Sequence, residues 1–195
     1  MIRLFDILFS ILGLTILSPF LFILSIAIII ESKGGIFYLQ TRVGKNNKDF
    51  KLYKFRSMQI NSDKKGLLTI GDKDNRITKI GKFIRKYKLD ELAQLLNVIK
   101  GDMSLVGPRP EVRKYVDLYN KKQLKVLSVK PGVTDYASIE YRNENEILAK
   151  SDNPEKDYIE EVMPYKLELN MKFINDRSLY NYFKIIFITI FRIII

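Results

Sequence analysis

The sequence runs to 195 residues, 47% of them apolar, with 33 Lys+Arg against 22 Asp+Glu and a formal charge of +11. That length suits one domain with at most a small appendage, and the basic balance suits either anionic partners or a solvated basic surface. The lack of cysteine and histidine excludes disulfides, thiolate nucleophiles, Cys-based zinc sites and imidazole catalysis, so acid–base or nucleophilic work falls to carboxylates, Lys or Tyr, and a metal would need hard oxygen ligands, as Mg²⁺ does.

The first element is apolar. Residues Ile7 to Ile30 carry no charge, and as a helix they are long enough to cross the roughly 30 Å hydrocarbon core. A cleaved signal fits poorly, because the run is too long and no small-residue cleavage site precedes Glu31. Two topologies remain open. A straight transmembrane span is the default for such a run. Against it, Ser18-Pro19 lies mid-run, where proline removes a backbone hydrogen bond. Arg3 precedes the run, and Lys33, Arg42 and Lys45 follow it. A re-entrant helix broken at Ser18-Pro19 keeps both basic flanks on the cytoplasmic face.

Gly34 to Met58 reads as a β-hairpin around the turn-forming GKNNKD. Period 2 puts Phe50, Leu52, Lys54 and Arg56 on one face. Two apolar residues are followed by two cations, which suits an edge strand leaving the core or a pair of cations aimed at phosphate. Asn61 to Asn75 reads as a polar loop. A helical stripe follows at Ile77, Ile80, Ile84 and Tyr87, with Arg85 beside it. A second stripe, Leu92, Leu95, Leu96 and Ile99, ends at Gly101, a C-cap residue.

Asp90 and Glu91 therefore fall at or near a helix start. Acidic residues there complement the helix dipole. They also supply a carboxylate able to bind a hard cation or act as a nucleophile. In GDMSLVGPRP, a loop or short strand, Pro108 and Pro110 restrict the backbone around Arg109. The pattern fits an ordinary turn or a pre-set guanidinium for phosphate. Val129 to Glu144 reads as a turn and then a strand. Asp152 to Ile174 reads as one or two helices interrupted near Pro164, with Glu160, Glu161, Lys166 and Glu168 on a solvated face. The apolar end, Asn181 to Ile195, suits either an interfacial helix or an amphipathic helix closing the core.

These segments together resemble the bacterial sugar transferases, or monotopic phosphoglycosyl transferases. The resemblance spans nearly the whole chain. It rests on the apolar run with Ser18-Pro19, FYLQTRVG, FKLYKFRSM, DNRITKIGKFIR, LDELAQLLNVIKGDMSLVGPRP and KPGVT. The order and spacing of these pieces carry the specificity. Ala93 stands where the family usually has proline, and Asn181 where an acidic residue is common.

The resemblance implies an α+β fold: a small, mostly helical cytoplasmic domain with a short hairpin, anchored by the re-entrant membrane helix and interfacial amphipathic helices. It implies membrane helix 1–32, catalytic domain 33–180 and interfacial segment 181–195, at the cytoplasmic face of a bacterial inner membrane. The implied reaction transfers sugar-1-phosphate from a UDP-sugar to polyprenyl (undecaprenyl) phosphate, releasing UMP, in the first membrane step of glycoconjugate synthesis. Similarity to short family members implies an N-acetylated or modified amino sugar. Asp90 is the implied nucleophile on the β-phosphorus. Asp90 and Glu91 would hold Mg²⁺, while Lys54, Arg56, Arg85 and Arg109 would bind substrate. Residues Thr134 to Glu144 are candidates for the sugar pocket. The lipid bilayer is an implied partner, with a homo-oligomer and downstream glycosyltransferases as further candidates. Rival readings are a non-catalytic basic membrane scaffold and a nucleic-acid-binding protein. The second lacks zinc-knuckle, RNP-type and basic-heptad motifs.

Overall fold

The computed structural model describes residues 1–62 and 74–194. The loop expected over Asn61–Asn75 lies mostly outside the described residues.

Helix α1 (Ile2–Glu31) is helical throughout, with Pro19 inside it. Its buried residues are Asp6, Ser10, Leu21, Leu24 and Ile28, and Leu14 and Leu17 are partly buried between them. These positions recur at three- and four-residue intervals, so one stripe lies along the rest of the protein for the helix's whole length. The remaining faces present Leu4, Leu8, Leu12, Ile16, Phe22, Ile23 and Ile30 outward. Both ends are tied down. Near the start, Arg3 donates to the carbonyls of Val98 (2.6 Å) and Ile99 (3.0 Å). At the end, Glu31 accepts from the backbone N–H groups of Lys79 (2.6 Å) and Ile80 (2.8 Å). A cation thus meets one helix C-terminus and an anion another helix N-terminus, each complementing the local dipole.

Strands β1 (Phe37–Val43) and β2 (Asp49–Phe55) form the expected antiparallel hairpin, with Tyr38 opposite Lys54 and Arg42 opposite Phe50. Asn46 and Asn47 turn it with positive φ, which asparagine tolerates better than most residues. Helix α2 (Lys79–Lys86) starts at the Thr78 cap, whose side chain accepts from the Gly81 N–H. Ile84 on its stripe is fully buried, but Tyr87 follows the last turn and is exposed, so the expected stripe ends one residue set early. A 3₁₀ turn, Leu89–Ala93, leads into α3 (Gln94–Lys100), which Gly101 terminates at φ 97°.

The second expected stripe is only half-buried. The fully buried residues here are Ala93, Gln94, Asn97 and Val98, and Asn97 bonds the β2 backbone at Tyr53 N–H (2.9 Å) and the Lys51 carbonyl (2.7 Å). The leucine stripe instead meets α1, where Leu92 joins its apolar cluster and Leu95 lies beside Gly13. Sandwiching α3 between a polar sheet edge and an apolar helix explains why both faces are covered.

Strand β3 (Ser104–Val106) and β4 (Gly132–Thr134) form a short parallel pair. They approach so closely that a Cβ on Gly132 would lie 2.1 Å from the Gly107 nitrogen, which requires glycine. A strand was expected to continue through Glu144. The chain turns helical instead, because Asp135 caps α5 (Tyr136–Glu140) by accepting from Ser138 N–H at 2.6 Å.

The short helices α4 (Arg113–Val116), α6 (Glu144–Leu148) and α7 (Pro154–Asp157) build a second lobe with α8 (Met163–Asn175), around a core that includes Tyr115, Leu148, Tyr158 and Leu167. A π-helical turn, Tyr158–Val162, precedes Pro164, near the expected interruption. Lys166, expected on a solvated face, is buried and paired with Glu144 at 2.6 Å.

Helix α9 (Leu179–Ile194) closes the fold. Tyr182 and Ile185 are fully buried, whereas Tyr180, Phe187, Ile190 and Phe191 are exposed. It therefore both covers the core and presents an apolar outer face, continuous with α1 through the packing of Phe183 on Phe5 and Phe9. The fold is α+β, as expected, with a parallel strand pair added to the hairpin.

Candidate functional site

One cavity of about 440 Å³ collects all six residues expected to touch substrate or metal: Lys54, Arg56, Arg85, Asp90, Glu91 and Arg109. Three structural features bring them together. The hairpin face carrying Tyr38, Gln40, Arg42, Lys54 and Arg56 forms one wall. Arg85 leaves the last turn of α2. Lys88, in the left-handed region at φ 56°, then redirects the chain into the 3₁₀ turn carrying the two acids. A non-glycine residue there costs about 1 kcal/mol, and the strain sits directly beside the acidic pair.

Arg109 is fixed from several sides. The β3–β4 pair continues past its last strand residues, with Gly107 N–H bonding the Thr134 carbonyl and Gly132 N–H the Pro108 carbonyl, both at 3.0 Å. The Arg109 N–H donates to the buried carboxylate of Asp135 at 3.1 Å. Its guanidinium grips Glu91 with two bonds, of 2.6 and 3.2 Å. This bidentate fork sets both direction and charge. Glu91 keeps Arg109 protonated; burial alone would raise the Glu91 pKa, but Arg109 pulls it down to about 2.

Asp90 differs. Among the described residues, no hydrogen bond or ion pair occupies its carboxylate. Burial raises its pKa above the ordinary aspartate value and the neighbouring Glu91 charge adds to this, opposed by Lys54, Arg85 and Lys88. Lys54 is shifted the other way. Burial, with repulsion from Arg42 and Arg109, pulls its pKa down to about 8. The pair thus comprises one committed carboxylate and one uncommitted carboxylate facing cations.

Arg56 reaches the cavity wall, but its guanidinium donates to the backbone carbonyls of Gly34, Gly35 (3.0 Å) and Phe37 (3.1 Å). It holds the chain leaving α1 to the hairpin. Behind Arg109, Glu111 pairs with Arg42 at 3.0 Å and accepts from the Tyr158 hydroxyl. Sequence reasoning missed this network, since its members lie far apart in the chain. It also missed Lys88, and it included Asp135 and Arg142 only within the Thr134–Glu144 stretch offered for the sugar pocket, with no role for either. The role of Asp135 was findable, because an Asp three residues before Ser138 is a helix-cap pattern. The segment Thr134–Glu144 contributes Thr134, Ser138, Tyr141, Arg142 and Glu144 to the lining. Ser18 and Pro19 lie away from the cavity, in mid-α1, where Ser18 Oγ donates to the Thr15 carbonyl at 2.8 Å. Asn181 is buried and accepts from the Tyr136 hydroxyl, and Ala93 is buried at the α3 start.

Comparison with known proteins gives the site a context. The bacterial sugar transferase family matches residues 1–195. The chain is 44% identical over 137 residues to the UDP-N-acetylgalactosamine-undecaprenyl-phosphate N-acetylgalactosaminephosphotransferase of Aeromonas hydrophila, covering 69% of this chain and 32% of that protein. It is 35% identical over 192 residues to the UDP-glucose:undecaprenyl-phosphate glucose-1-phosphate transferase of Escherichia coli K12, covering 96% of this chain and 39% of that protein. The Klebsiella pneumoniae protein of the same name is 36% identical over 194 residues, covering 97% and 39%. The chain thus spans about a third to two fifths of the length of these relatives. With a match along its full extent and motifs that converge on one cavity, the chain belongs to the bacterial sugar transferase family.

Proposed function

We propose that the protein transfers sugar-1-phosphate from a UDP-sugar to polyprenyl phosphate through a covalent intermediate on Asp90. The observation that carries this reading is the uncommitted Asp90 carboxylate in a cavity whose other walls supply Lys54, Arg85 and the Glu91-locked Arg109. An Asp90 oxygen attacks the β-phosphorus, the bond from that phosphorus to the bridging oxygen breaks, and UMP leaves. A phosphate oxygen of the lipid then attacks the same phosphorus, and the Asp90 carboxylate leaves, giving polyprenyl-diphospho-sugar. Lys54, Arg85 and Arg109 hold phosphate oxygens and stabilise their developing charge. Cations converging inside a cavity suit a small polyphosphate better than a nucleic-acid backbone.

The donor set also suits Mg²⁺. Among the described residues no group of three or more acidic side chains is placed to hold a metal ion. Asp90 offers a carboxylate that nothing else occupies, matching an ion that takes one or two carboxylates and completes its shell with phosphate and water, whereas both Glu91 oxygens are already bonded to Arg109 and would have to share it with the ion. When bound there, the ion would neutralise diphosphate charge that otherwise repels the nucleophile.

The donor is an N-acetylated or modified amino sugar in this reading, supported by the 44% identity over 137 residues shared with the N-acetylgalactosamine relative. Incubation of membranes with Mg²⁺, polyprenyl phosphate and a UDP-sugar panel is expected to release UMP with an acetylated amino sugar. No UMP from any donor would refute the activity.

In this reading the protein sits in the cytoplasmic leaflet as a monotopic protein, with the re-entrant turn at Pro19, although α1 is helical from Ile2 to Glu31 and is not interrupted there. A straight span would put Arg3 and Asp6 across the bilayer from Glu31, yet all three bind the same domain. The exposed apolar faces of α1 and α9 supply the area for burial in lipid. The protein has no native cysteine, so single Leu4→Cys and Lys33→Cys variants give a clean test. Both are expected to react with a membrane-impermeant maleimide in inverted vesicles and neither in spheroplasts. Labelling from opposite sides would establish a span.

The pH profile follows from the two shifted groups. Asp90 must be ionised to attack, so kcat/KM falls as pH drops through its raised pKa. Lys54 must be protonated to hold phosphate, so kcat/KM falls as pH rises past about 8. Lys54→Arg, protonated throughout, is expected to remove the alkaline limb; persistence of that limb would assign it to another group.

A further inference from the structure

We infer that Arg142 and Arg192 form a second phosphate position at the cavity mouth, one that takes the phosphate monoester of the lipid acceptor. This rests on the function proposed above and deepens it.

Tyr182, Ile185, Thr189 and Arg192 recur at three- and four-residue intervals on one stripe of α9. The first two are fully buried core. The stripe then changes chemistry: Thr189 and Arg192 line the catalytic cavity. Thr189 is fastened to Thr134, the last residue of β4, by a hydroxyl–hydroxyl bond of 2.6 Å. Arg142 donates to the Arg192 carbonyl and also lines the cavity, so the end of α9 carries two cations. Among the described residues neither has an acidic partner within 4.0 Å, in contrast to Arg109.

The neighbouring face of the same helical turns is apolar and exposed, at Phe187, Ile190 and Phe191. A polar cavity, two guanidinium groups without an acidic partner and an apolar face therefore meet at one edge. That juxtaposition matches an amphiphile with a phosphate at one end of a long hydrocarbon. The UDP-sugar has no hydrocarbon to place on the apolar face, and the function proposed above already assigns Lys54, Arg85 and Arg109 to its reacting phosphorus. Phosphate attached to lipid could also come from bilayer headgroups, so the test separates the two sources.

Full-length Arg192→Ala and Arg192→Lys proteins are reconstituted in zwitterionic vesicles with and without polyprenyl phosphate, and their binding to anionic vesicles that lack it is measured alongside. Two reactions are followed: steady-state turnover, and exchange of labelled UMP into UDP-sugar without acceptor, which reports only the donor half-reaction. Arg192→Ala is expected to raise KM for polyprenyl phosphate by about tenfold, the size of one lost charge-assisted hydrogen bond. Exchange and KM for UDP-sugar should stay within about twofold, and Arg192→Lys should recover most of the acceptor affinity. Melting temperatures equal to the parent's would exclude misfolding as the cause. An unchanged acceptor KM overturns the inference. So does a parallel loss of exchange, which would assign Arg192 to the donor. A defect seen only in binding to anionic vesicles would assign it to headgroups and also overturn it. Absence of exchange in the parent protein is a distinct result, which refutes the covalent step itself.

Discussion

Asp90→Asn is expected to abolish UMP release, lowering kcat by at least about 10⁴-fold, the scale seen when a nucleophile is removed. Asparagine has nearly the same shape but no anionic oxygen to attack phosphorus. The fold should not suffer. Among the described residues nothing bonds the Asp90 carboxylate, and its pKa is raised by burial. A raised pKa means that the charged form is disfavoured in the folded state, so above that pKa the ionised carboxyl costs stability. Removing it should leave the melting temperature unchanged or higher. Lost activity with retained stability separates a chemical role from the capping role that acidic residues often play at helix starts. A variant that melts earlier and keeps a substantial fraction of activity would favour the capping role.

The second large effect is expected far from the cavity. Asp6 immediately precedes the apolar run, is nearly fully buried, and uses one carboxylate oxygen to accept three bonds of 2.9 Å from Ser104 Oγ, Leu105 N–H and Tyr182 OH. It joins α1, β3 and α9 at one point. Asp6→Leu leaves three buried donors without an acceptor, at a cost of about 1–3 kcal/mol each before relaxation. A total of about 3–5 kcal/mol would be a large part of the stability of a domain this size. Thermal unfolding in detergent or lipid should show a fall of about 10 °C, with Asp6→Asn losing less because it keeps one acceptor. A shift within about 2 °C for Asp6→Leu would mean that the three donors find other partners.

What the sequence revealed and what it hid follow different physics. The hairpin was legible because its turn chemistry and its period-2 alternation are local. The C-cap at Gly101 was legible for the same reason. Asp90, Glu91 and Arg109 were legible as candidates because they lie within a single short stretch with restricting prolines. Their pairing was not, since the Glu91–Arg109 fork depends on a parallel strand pair whose second strand is more than two dozen residues downstream. Arg56 looked equivalent to Lys54 by alternation, yet the chain leaving α1 captures its guanidinium. The apolar N-terminal run was plain in composition, whereas its attachment at both ends depends on Arg3, Asp6 and Glu31 finding backbone partners 48 to 99 residues away. Lys166 misled for a related reason: a lysine among glutamates reads as solvated until a distant Glu144 pairs with it in the core.

The most direct measurement is peptide mass spectrometry of the protein quenched during incubation with its UDP-sugar and Mg²⁺, without lipid acceptor. The account predicts a sugar-phosphate mass on the tryptic peptide Leu89–Lys100, fragmenting to Asp90 and lost on addition of polyprenyl phosphate. An adduct on any other residue, or UMP release during turnover with no adduct at all, would contradict it.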